Sequence, residues 1–275
     1  MSTDPDQNAA HVSQHFSNVA PEYHADWLFH SRSSPHELWL NTLIYGALDL
    51  KRGHILADIG CGPGDDCLWF LNKINNEIKI IGCDPASGMI EIFNKEIKKK
   101  SLTNMAQAFC MDAVTFSQQK QLPAFNRILM KQCVHLLSQS ERLLAFKGFR
   151  QQFNSDDNKL VIVTRPGKSS FPFDKRITEM WISQSLPIDN LVKELEMCGF
   201  TNIKCDTYHY TFDESVTLDD WINFIQKRLW SIFSLEKTNE EQMIDLISDL
   251  KETYKHKTFQ LKDEILILHC TANNH

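Results

Sequence analysis

The chain has 275 residues, of which 42% are hydrophobic and 23% are charged, and its formal net charge is −6. This composition is typical of a globular protein with one large domain, and the acidic balance argues against nucleic acid as a partner, because nucleic-acid binding needs clustered Lys and Arg. No apolar stretch approaches the roughly 20 residues of a membrane span, and the eight cysteines, scattered without a C-x-x-C pair, predict no metal site and a reducing, cytoplasmic location.

Two segments precede the predicted sheet. Residues 1–14 are polar and are expected to be flexible, and residues 15–30 are rich in aromatic side chains. A helix is then predicted to begin at Pro35 with Ser34 as its cap, because leucine and isoleucine residues follow at helical spacing.

From residue 54 the sequence alternates between short apolar strands and amphipathic helices. Strands are predicted at 54–59, 78–84, 105–112, 125–134, 158–165, 201–212 and 264–270. Because the strands are apolar on both faces and helices lie between them, the pattern predicts a mostly parallel sheet covered on both sides. An aromatic helical segment at 215–256 separates the last two strands.

The stretch "ADIGCGPGDD" at 57–66 places Gly60, Gly62 and Gly64 between the first strand and its helix. In doubly wound sheets, ligands bind at the carboxyl ends of the strands, beside this turn. Asp84 ends the second strand, and its two carboxylate oxygens can accept hydrogen bonds from both hydroxyls of a ribose. The pattern therefore predicts a nucleoside site.

A dinucleotide is a poor match for this loop. Its fingerprint is G-x-G-x-x-G, whereas Asp65 stands in the place of the third glycine and Asp66 follows it. Two carboxylates at this helix start would repel a pyrophosphate. The loop suits a nucleoside that carries a positive charge and no phosphate.

At this point the chain resembles the class I S-adenosylmethionine-dependent methyltransferases. "ILADIGCGPG" and "IIGCDPASGMI" look like the first two motifs of that family, and "FCMDAVTF" and "FNRILMKQCVHLL" look like two later ones. "FSNVAPEYHADW" is similar to the N-terminal segment that folds over the cofactor in the small-molecule branch. The resemblance implies a doubly wound α/β fold with a mostly parallel seven-stranded sheet. It also implies S-adenosyl-L-methionine as cofactor and methyl transfer to a small metabolite.

The resemblance also implies a set of cofactor-binding residues: Asp58, Gly60, Cys61, Gly62, Asp84, Pro85, Met89, Asp112, Ala113 and Lys131. Asp58 either contacts the methionyl amino group or only fixes the loop. Tyr23 either closes over the methionyl carboxylate or the reacting methyl group, or only packs the N-terminal segment. His135 is a general base or a substrate contact in one interpretation and a structural histidine in the other.

The expected substrate contacts are Trp27, Arg165, Trp221 and Trp230. Arg165 either meets a substrate carboxylate or forms a surface ion pair. We expect a single domain over 15–275, with an N-terminal lid at about 15–50. The segment at about 215–256 is expected to form a helical cap that roofs the site, or else to cover the sheet edge or a dimer contact.

The sequence leaves two functions open besides methyl transfer. In the first, the chain binds the cofactor without transfer and acts as a partner or scaffold. In the second, it is a nicotinamide-dependent reductase, which the displaced third glycine opposes.

Overall fold

The computed structural model describes residues 5–25, 28–32, 34–153, 155–212, 215–255 and 258–272. The described residues form nine strands: β1 Ile55–Ile59, β2 Lys79–Asp84, β3 Ala106–Cys110, β4 Arg127–Lys131, β5 Lys159–Thr164, β6 Phe200–Thr211, β7 Val216–Thr217, β8 Thr258–Phe259 and β9 Lys262–Ala272. Seven of them form one sheet in the order β3-β2-β1-β4-β5-β9-β6, and β7 pairs with β8.

The sheet has the predicted doubly wound, Rossmann-like α/β architecture. Strands β1 to β5 pair in parallel, and β9 runs antiparallel to both β5 and β6. The helices of the described residues are α1 Pro5–Val19, α2 Pro35–Leu48, α3 Asp65–Lys73, α4 Ser87–Lys99, α5 Ala113–Ser117, α6 Gln139–Gln152, α7 Lys175–Gln184, α8 Ile188–Met197, α9 Leu218–Gln226 and α10 Glu240–Thr253. None of these helices is long and apolar enough to cross a membrane.

The two faces of the sheet are covered by two layers of helices. Alternate residues of β4 point to opposite faces, so Met130 packs with Phe146 of α6 in one core, while Leu129 packs with Phe70 of α3 in the other. Because helices bury both faces of the sheet, the residues that point to either face are apolar, and the strands read as continuous apolar runs in the sequence.

The predicted helix boundaries follow from local caps. The Ser34 hydroxyl accepts a hydrogen bond from the backbone N–H of Glu37 at 3.1 Å and begins α2. Ser138 and Glu141 form a reciprocal capping box at the start of α6. Gly199, with a φ of +84°, follows the end of α8.

The structure differs from the sequence prediction at the N-terminus. The sequence predicted no helix before residue 35, yet α1 begins at Pro5 and continues to Val19, while the flexibility expected of residues 1–14 stays a prediction. Its side chains Phe16 and Val19 pack against Ala86 and Met89 near the start of α4. This contact is tertiary, so it has no signal in the local hydrophobic pattern. Helix α7 and the β7–β8 pair were also absent from the prediction.

The segment between β6 and β9 forms the predicted helical cap, which we define as residues 215–255. Its helices α9 and α10 share an aromatic core with residues from other parts of the chain. In this core Phe224 packs against Phe29, Trp221 against Phe171 and Phe233 against Phe173. The cap therefore joins the main domain next to the carboxyl edge of the sheet, where Phe171 follows β5.

Gly64 gives a test of the packing beneath the glycine loop. It has a φ of +81°, and an added Cβ would lie 2.2 Å from the ring of Phe93. Gly53 has a φ of +84° with nothing within 4 Å of the same added atom. We expect Gly53→Ala to lower the free energy of unfolding by about 1–2 kcal/mol, from backbone strain alone. We expect Gly64→Ala to lower it by about 2–5 kcal/mol, because overpacking adds to the strain.

Denaturant unfolding of the two variants measures this difference. Equal losses in both variants would show that the ring of Phe93 moves aside at no cost, contrary to the prediction.

Candidate active site

The glycine loop after β1 is held by backbone hydrogen bonds to the end of β2. The N–H groups of Gly60 and Cys61 donate to the carbonyl oxygen of Cys83 at 2.8 and 3.0 Å, and the N–H of Gly62 donates to Oδ2 of Asp84 at 3.0 Å. Gly62 has a φ of +51°, and a Cβ added there would meet nothing within 4 Å. A Cβ on Gly60 would instead lie 2.8 Å from the Cβ of Cys133. The loop therefore keeps open space at Gly62.

That space belongs to a cavity of about 640 Å³ at the carboxyl edge of the sheet. One end is the glycine loop, and the other is an aromatic wall made by Phe29, Trp181 and Trp230. Trp69 and Asn72 of α3 also line the cavity. The volume lies in the range of about 300–1,000 Å³ that is common for small-molecule sites.

Ion pairs begin at the aromatic end of this cavity. The Nε and Nη2 groups of Arg165 donate to the two carboxylate oxygens of Asp263, at 2.8 and 2.7 Å. The same carboxylate lies 2.9 Å from Nε2 of His36, and only 1% of each of the His36 and Asp263 side chains is exposed. Arg165 is thus paired inside the protein rather than at its surface, which corrects the alternative reading of a surface ion pair.

The ion pairs continue toward the glycine loop. Nδ1 of His36 lies 3.7 Å from Oε1 of Glu37, and Nζ of Lys131 donates to Oε2 of Glu37 at 2.8 Å and to Oδ1 of Asp66 at 3.0 Å. We call these six side chains the charge network: Arg165, Asp263, His36, Glu37, Lys131 and Asp66. Positive and negative groups alternate along it from β5 to the first turn of α3.

The pKa values of Glu37, Lys131 and His36 reflect this alternation, whereas burial raises the pKa of Asp66 despite the nearby Lys131. Burial alone would raise the pKa of Glu37, but Lys131 and His36 outweigh it and hold the pKa well below its usual range. Burial alone would lower the pKa of Lys131, but Asp66 and Glu37 raise it. The pKa of His36 is raised by Asp263 and Glu37 against the effect of burial. The network therefore favours the ionised forms of these three groups.

Two buried amide groups at the cavity have no protein partner within the described ranges. They are Nε2 of Gln132 and Oδ1 of Asn41, and both residues line the cavity. Gln132 also has a φ of +55°, which is uncommon for a residue other than glycine. Since buried polar groups are nearly always hydrogen-bonded, the two amides are suited to a polar ligand.

Asp58 lies beneath the loop rather than on the cavity wall. It is 2% exposed, and its Oδ2 accepts a hydrogen bond from the thiol of Cys67 at 2.9 Å. Burial, together with the nearby charge of Asp66, raises the pKa of Asp58 to about 7. Its placement supports a role in fixing the loop.

The two predicted catalytic residues both line the cavity. The Tyr23 ring lies 4.5 Å from that of His30, and burial raises the pKa of its hydroxyl. Burial, with Lys237 and Arg165 nearby, lowers the pKa of His135 to about 4, so the imidazole is neutral at neutral pH. A group with so low a pKa is a weak general base, better suited to orienting a donor on a ligand.

The structure gathers eight of the predicted site residues around the cavity: Tyr23, Gly60, Cys61, Gly62, Lys131, His135, Arg165 and Trp230. It does not bring Asp84, Pro85, Met89, Asp112 or Ala113 to its wall. Trp27 lies outside the described residues.

Helix α1 accounts for the covered part of the predicted cofactor site. The Ser13 hydroxyl donates to the carbonyl oxygen of Pro85 at 2.7 Å, and Met89 is 2% exposed beneath the helix. Asp112 caps α5 through the backbone N–H and hydroxyl of Thr115. At the adenosine end of the predicted site Met89 is therefore covered, whereas Pro85 and Asp112 stay exposed.

Trp221 is placed differently from Trp230, although both were expected to contact substrate. Its side chain is fully buried, and Nε1 donates to the carbonyl oxygen of Pro172 at 2.8 Å. The ring centroids of Trp221 and Trp230 are 6.5 Å apart, so Trp221 backs the residue that lines the cavity. Trp221 can affect a ligand only through that packing.

Sequence reasoning did not single out Glu37, Asn41 or Asp263. Glu37 and Asn41 lie one turn apart on α2, and Asp263 is the second residue of β9. Nothing in their local sequence distinguishes them from ordinary surface polar residues. Their buried ion pairs form only in the folded chain, since Asp263 and His36 are 227 positions apart in the sequence.

Residues 56–155 match the family model of a methyltransferase domain. The [4+2]-cyclase SpnF has a similar structure, with a TM-score of 0.63 and 16% identity over 96% of both chains. Phosphoethanolamine N-methyltransferase 2 of Haemonchus contortus, solved with phosphomonomethylethanolamine and S-adenosylhomocysteine, matches with a TM-score of 0.62 and 14% identity. That match covers 99% of this chain and 61% of the nematode chain.

A geranyl diphosphate methyltransferase, solved with its substrate and sinefungin, matches with a TM-score of 0.52 and 10% identity, over 86% of this chain and 79% of that one. A comparison with curated protein sequences finds no significant match. At these identities the solved structures show a shared fold.

The low pKa of His135 leads to a prediction about stability and pH. The folded protein binds a proton at this imidazole only near pH 4, whereas the unfolded chain binds it near pH 6.5. The contribution to stability is therefore complete above pH 6.5 and is lost as the pH falls toward 4. We expect His135→Gln to reduce the slope of unfolding free energy against pH in this window, by up to about 1.4 kcal/mol per pH unit.

Urea titrations between pH 4 and 7 measure this slope, and His209→Gln, at an exposed position, is the matched control. His15, whose pKa burial also lowers to about 4, keeps contributing in both variants. Identical pH profiles for wild type and His135→Gln would contradict the prediction.

Proposed function

We propose that the chain, whose residues 56–155 match the model of a methyltransferase domain, is a class I S-adenosylmethionine-dependent enzyme that transfers a methyl group from S-adenosyl-L-methionine to a small molecule. The observation that carries this proposal is the single cavity that joins the glycine loop to the aromatic wall below the cap. A cofactor at one end and an acceptor at the other would share one enclosed space, which favours alignment and excludes water.

The residues at the loop end fit the cofactor. The open space at Gly62 leaves room for close approach, and the free amides of Asn41 and Gln132 offer an acceptor and a donor to its polar groups. Lys131 would hold the methionyl carboxylate and Asp66 the ammonium group, since both already line the cavity.

The adenosine end of the cofactor site is proposed from the residues around the end of β2. Asp84 would accept the ribose hydroxyls, with Cys61, Pro85 and Met89 packing beside them. Asp112 and Ala113 would hold the adenine edge.

When bound, the cofactor supplies a methyl group on a sulfonium, which is a good leaving group. The protein's part is then to hold the acceptor in line with that methyl group and to keep water out. His135, as a neutral imidazole, would accept a hydrogen bond from an N–H or O–H of the acceptor. Tyr23 would close the cavity from the N-terminal side.

Helix α1 would act as a lid over the adenosine end. It covers Met89 in a small apolar cluster around Ala20, the Ser13 hydroxyl donates to the carbonyl oxygen of Pro85, and the Ser17 hydroxyl accepts from the N–H of Gly88 at 3.5 Å. An ion pair between His11 and Glu236, with a 2.7 Å separation, joins its outer side to the cap. Entry of adenosine would require α1 to move from this position.

The cell compartment is part of the proposal. All eight cysteines are free thiols. Free thiols persist in a reducing environment, which supports a cytoplasmic enzyme.

The fold by itself does not fix the reaction, as the likeness to a [4+2]-cyclase illustrates. Cofactor binding and methyl transfer therefore need separate tests. For transfer, the protein is incubated with cofactor carrying a deuterated methyl group and a metabolite extract. We expect mass spectrometry to find a small molecule that gains the labelled methyl group. Binding of the cofactor with no labelled product from any extract would favour a protein that binds without transfer.

Gly62 provides the binding test. We expect Gly62→Ala to weaken the binding of S-adenosylhomocysteine by about tenfold or more, because the new methyl group enters the ligand's space. Gly53→Ala is the matched control, since it adds the same methyl group at positive φ on a turn away from the cavity. Calorimetric titration gives both affinities. Equal affinity in the two variants would remove the glycine loop from the cofactor site.

Hydrogen exchange tests the lid. We expect the amides of α1 to exchange more slowly with saturating S-adenosylhomocysteine than without it, because the ligand adds contacts beneath the helix. The amides of α8, in the opposite helix layer, serve as the internal reference. Exchange in α1 that is indifferent to the ligand would argue that this helix is a fixed part of the wall.

A further inference from the structure

Arg165 and Arg142 both form bidentate ion pairs, but they differ in how their third guanidinium nitrogen, Nη1, is bonded. The Nε and Nη2 groups of Arg165 are paired with Asp263, whereas its Nη1 has no protein partner among the described residues. Arg142 binds Glu194 in the same bidentate way, but its Nη1 also donates to the carbonyl oxygen of Leu137 at 2.6 Å. Because Arg165 lines the cavity, its Nη1 is a charged donor open to a ligand.

Aromatic rings fix the position of this donor. The guanidinium carbon of Arg165 lies 5.0 Å from the ring centre of Trp230, 5.8 Å from that of Phe29 and 6.0 Å from that of Phe171. These distances are those of cation–π contacts. Trp230 and Phe29 also line the cavity, so a ligand that reaches Nη1 must lie against flat apolar surfaces.

The charge of the site favours an anion at this place. The three cations and three carboxylates of the charge network cancel in their ionised forms. A sulfonium cofactor adds one positive charge beside it, so a single negative charge on the second ligand would restore balance in a buried space. Unbalanced charge in such a space is costly.

We propose that the substrate is a small organic acid with a flat apolar body, whose carboxylate binds the Nη1 edge of Arg165. The body lies against Phe29, Trp181 and Trp230, and the accepting atom points toward His135 and the glycine loop. This inference rests on the proposed methyl transfer, because the cofactor provides the balancing charge.

A carboxylate fits this place better than a phosphate ester. A phosphate monoester carries about two negative charges at neutral pH and three acceptor oxygens. Beside the charge network, the sulfonium leaves one positive charge to balance, and one nitrogen of Arg165 is free. A carboxylate matches that single charge, and one of its oxygens can accept a hydrogen bond from Nη1.

The test compares four probes that share one ring and differ in the polar group: phenylacetate, phenylacetamide, phenethylamine and benzylphosphonate. Each is titrated calorimetrically into the full-length protein, with and without saturating sinefungin, a cofactor analogue that carries a positively charged amino group in place of the methylated sulfonium. We expect phenylacetate to bind about tenfold or more tightly than each of the other three, as a charge-assisted hydrogen bond would give.

Variants then assign the preference to Arg165. In Arg165→Gln we expect the ratio of acid to amide affinity to fall to about one, and in Arg165→Lys we expect it to be partly kept. Arg142→Gln removes an equally buried bidentate ion pair in the α6–α8 contact and is expected to leave the ratio unchanged. Because the readout is a ratio, a general loss of stability does not imitate the effect.

The outcomes separate this inference from the proposed function. Three results would overturn the inference. The amide, amine or phosphonate binds more tightly than the acid, no probe binds at millimolar concentration, or the acid preference survives in Arg165→Gln. If Arg165→Gln does not fold, the four wild-type affinities and the ratio of acid to amide affinity in Arg165→Lys still test the inference. Loss of S-adenosylhomocysteine binding in the wild-type protein would instead overturn the proposed function, whatever the probes do.

Discussion

Six side chains of alternating charge, from Arg165 to Asp66, connect parts of the chain that are far apart in the sequence. They join the ends of β4 and β5 to the start of β9 and to the first turns of α2 and α3. Taking such groups out of water is costly, and each repays this cost only while its partners stay in place. Removal of one member would leave a buried charge unpaired. The network therefore specifies how these five elements meet more than it adds to overall stability.

The network also divides the cavity into two kinds of surface. At the loop end, Lys131 and Asp66 offer opposite charges close together, which suits a zwitterionic group. At the far end, Arg165 lies among aromatic rings and is the charged group on that part of the wall, and Asp263 balances its charge. The cap supplies Trp230 to this end, and the buried Trp221 holds that ring in place. One continuous set of ion pairs thus supports two subsites of different chemistry.

Much of the fold could be predicted from the sequence because its signals are local. Apolar runs marked the strands, Ser34 with Pro35 marked a helix start, and three glycines before Asp65 marked the ligand loop. The network could not be predicted in this way, since Glu37 and Lys131 are 94 positions apart. Trp221 and Trp230 show the same limit: both belong to an aromatic segment, and only the tertiary packing decides which one lines the cavity.

The lid and the wall differ in how they are held, and this difference bears on the order of events at the site. The wall at Arg165 and Lys131 is fixed by several buried ion pairs at once. Helix α1 is held beside Pro85 by two side-chain hydrogen bonds, of Ser13 and Ser17, by a small apolar cluster and by an ion pair whose His11 side chain is 55% exposed. Segments with few buried contacts open at low free energy, while densely paired ones do not. Opening of α1 would therefore uncover Met89 and leave the acid-binding end intact, so the cofactor can enter without disturbing the surface that positions its partner.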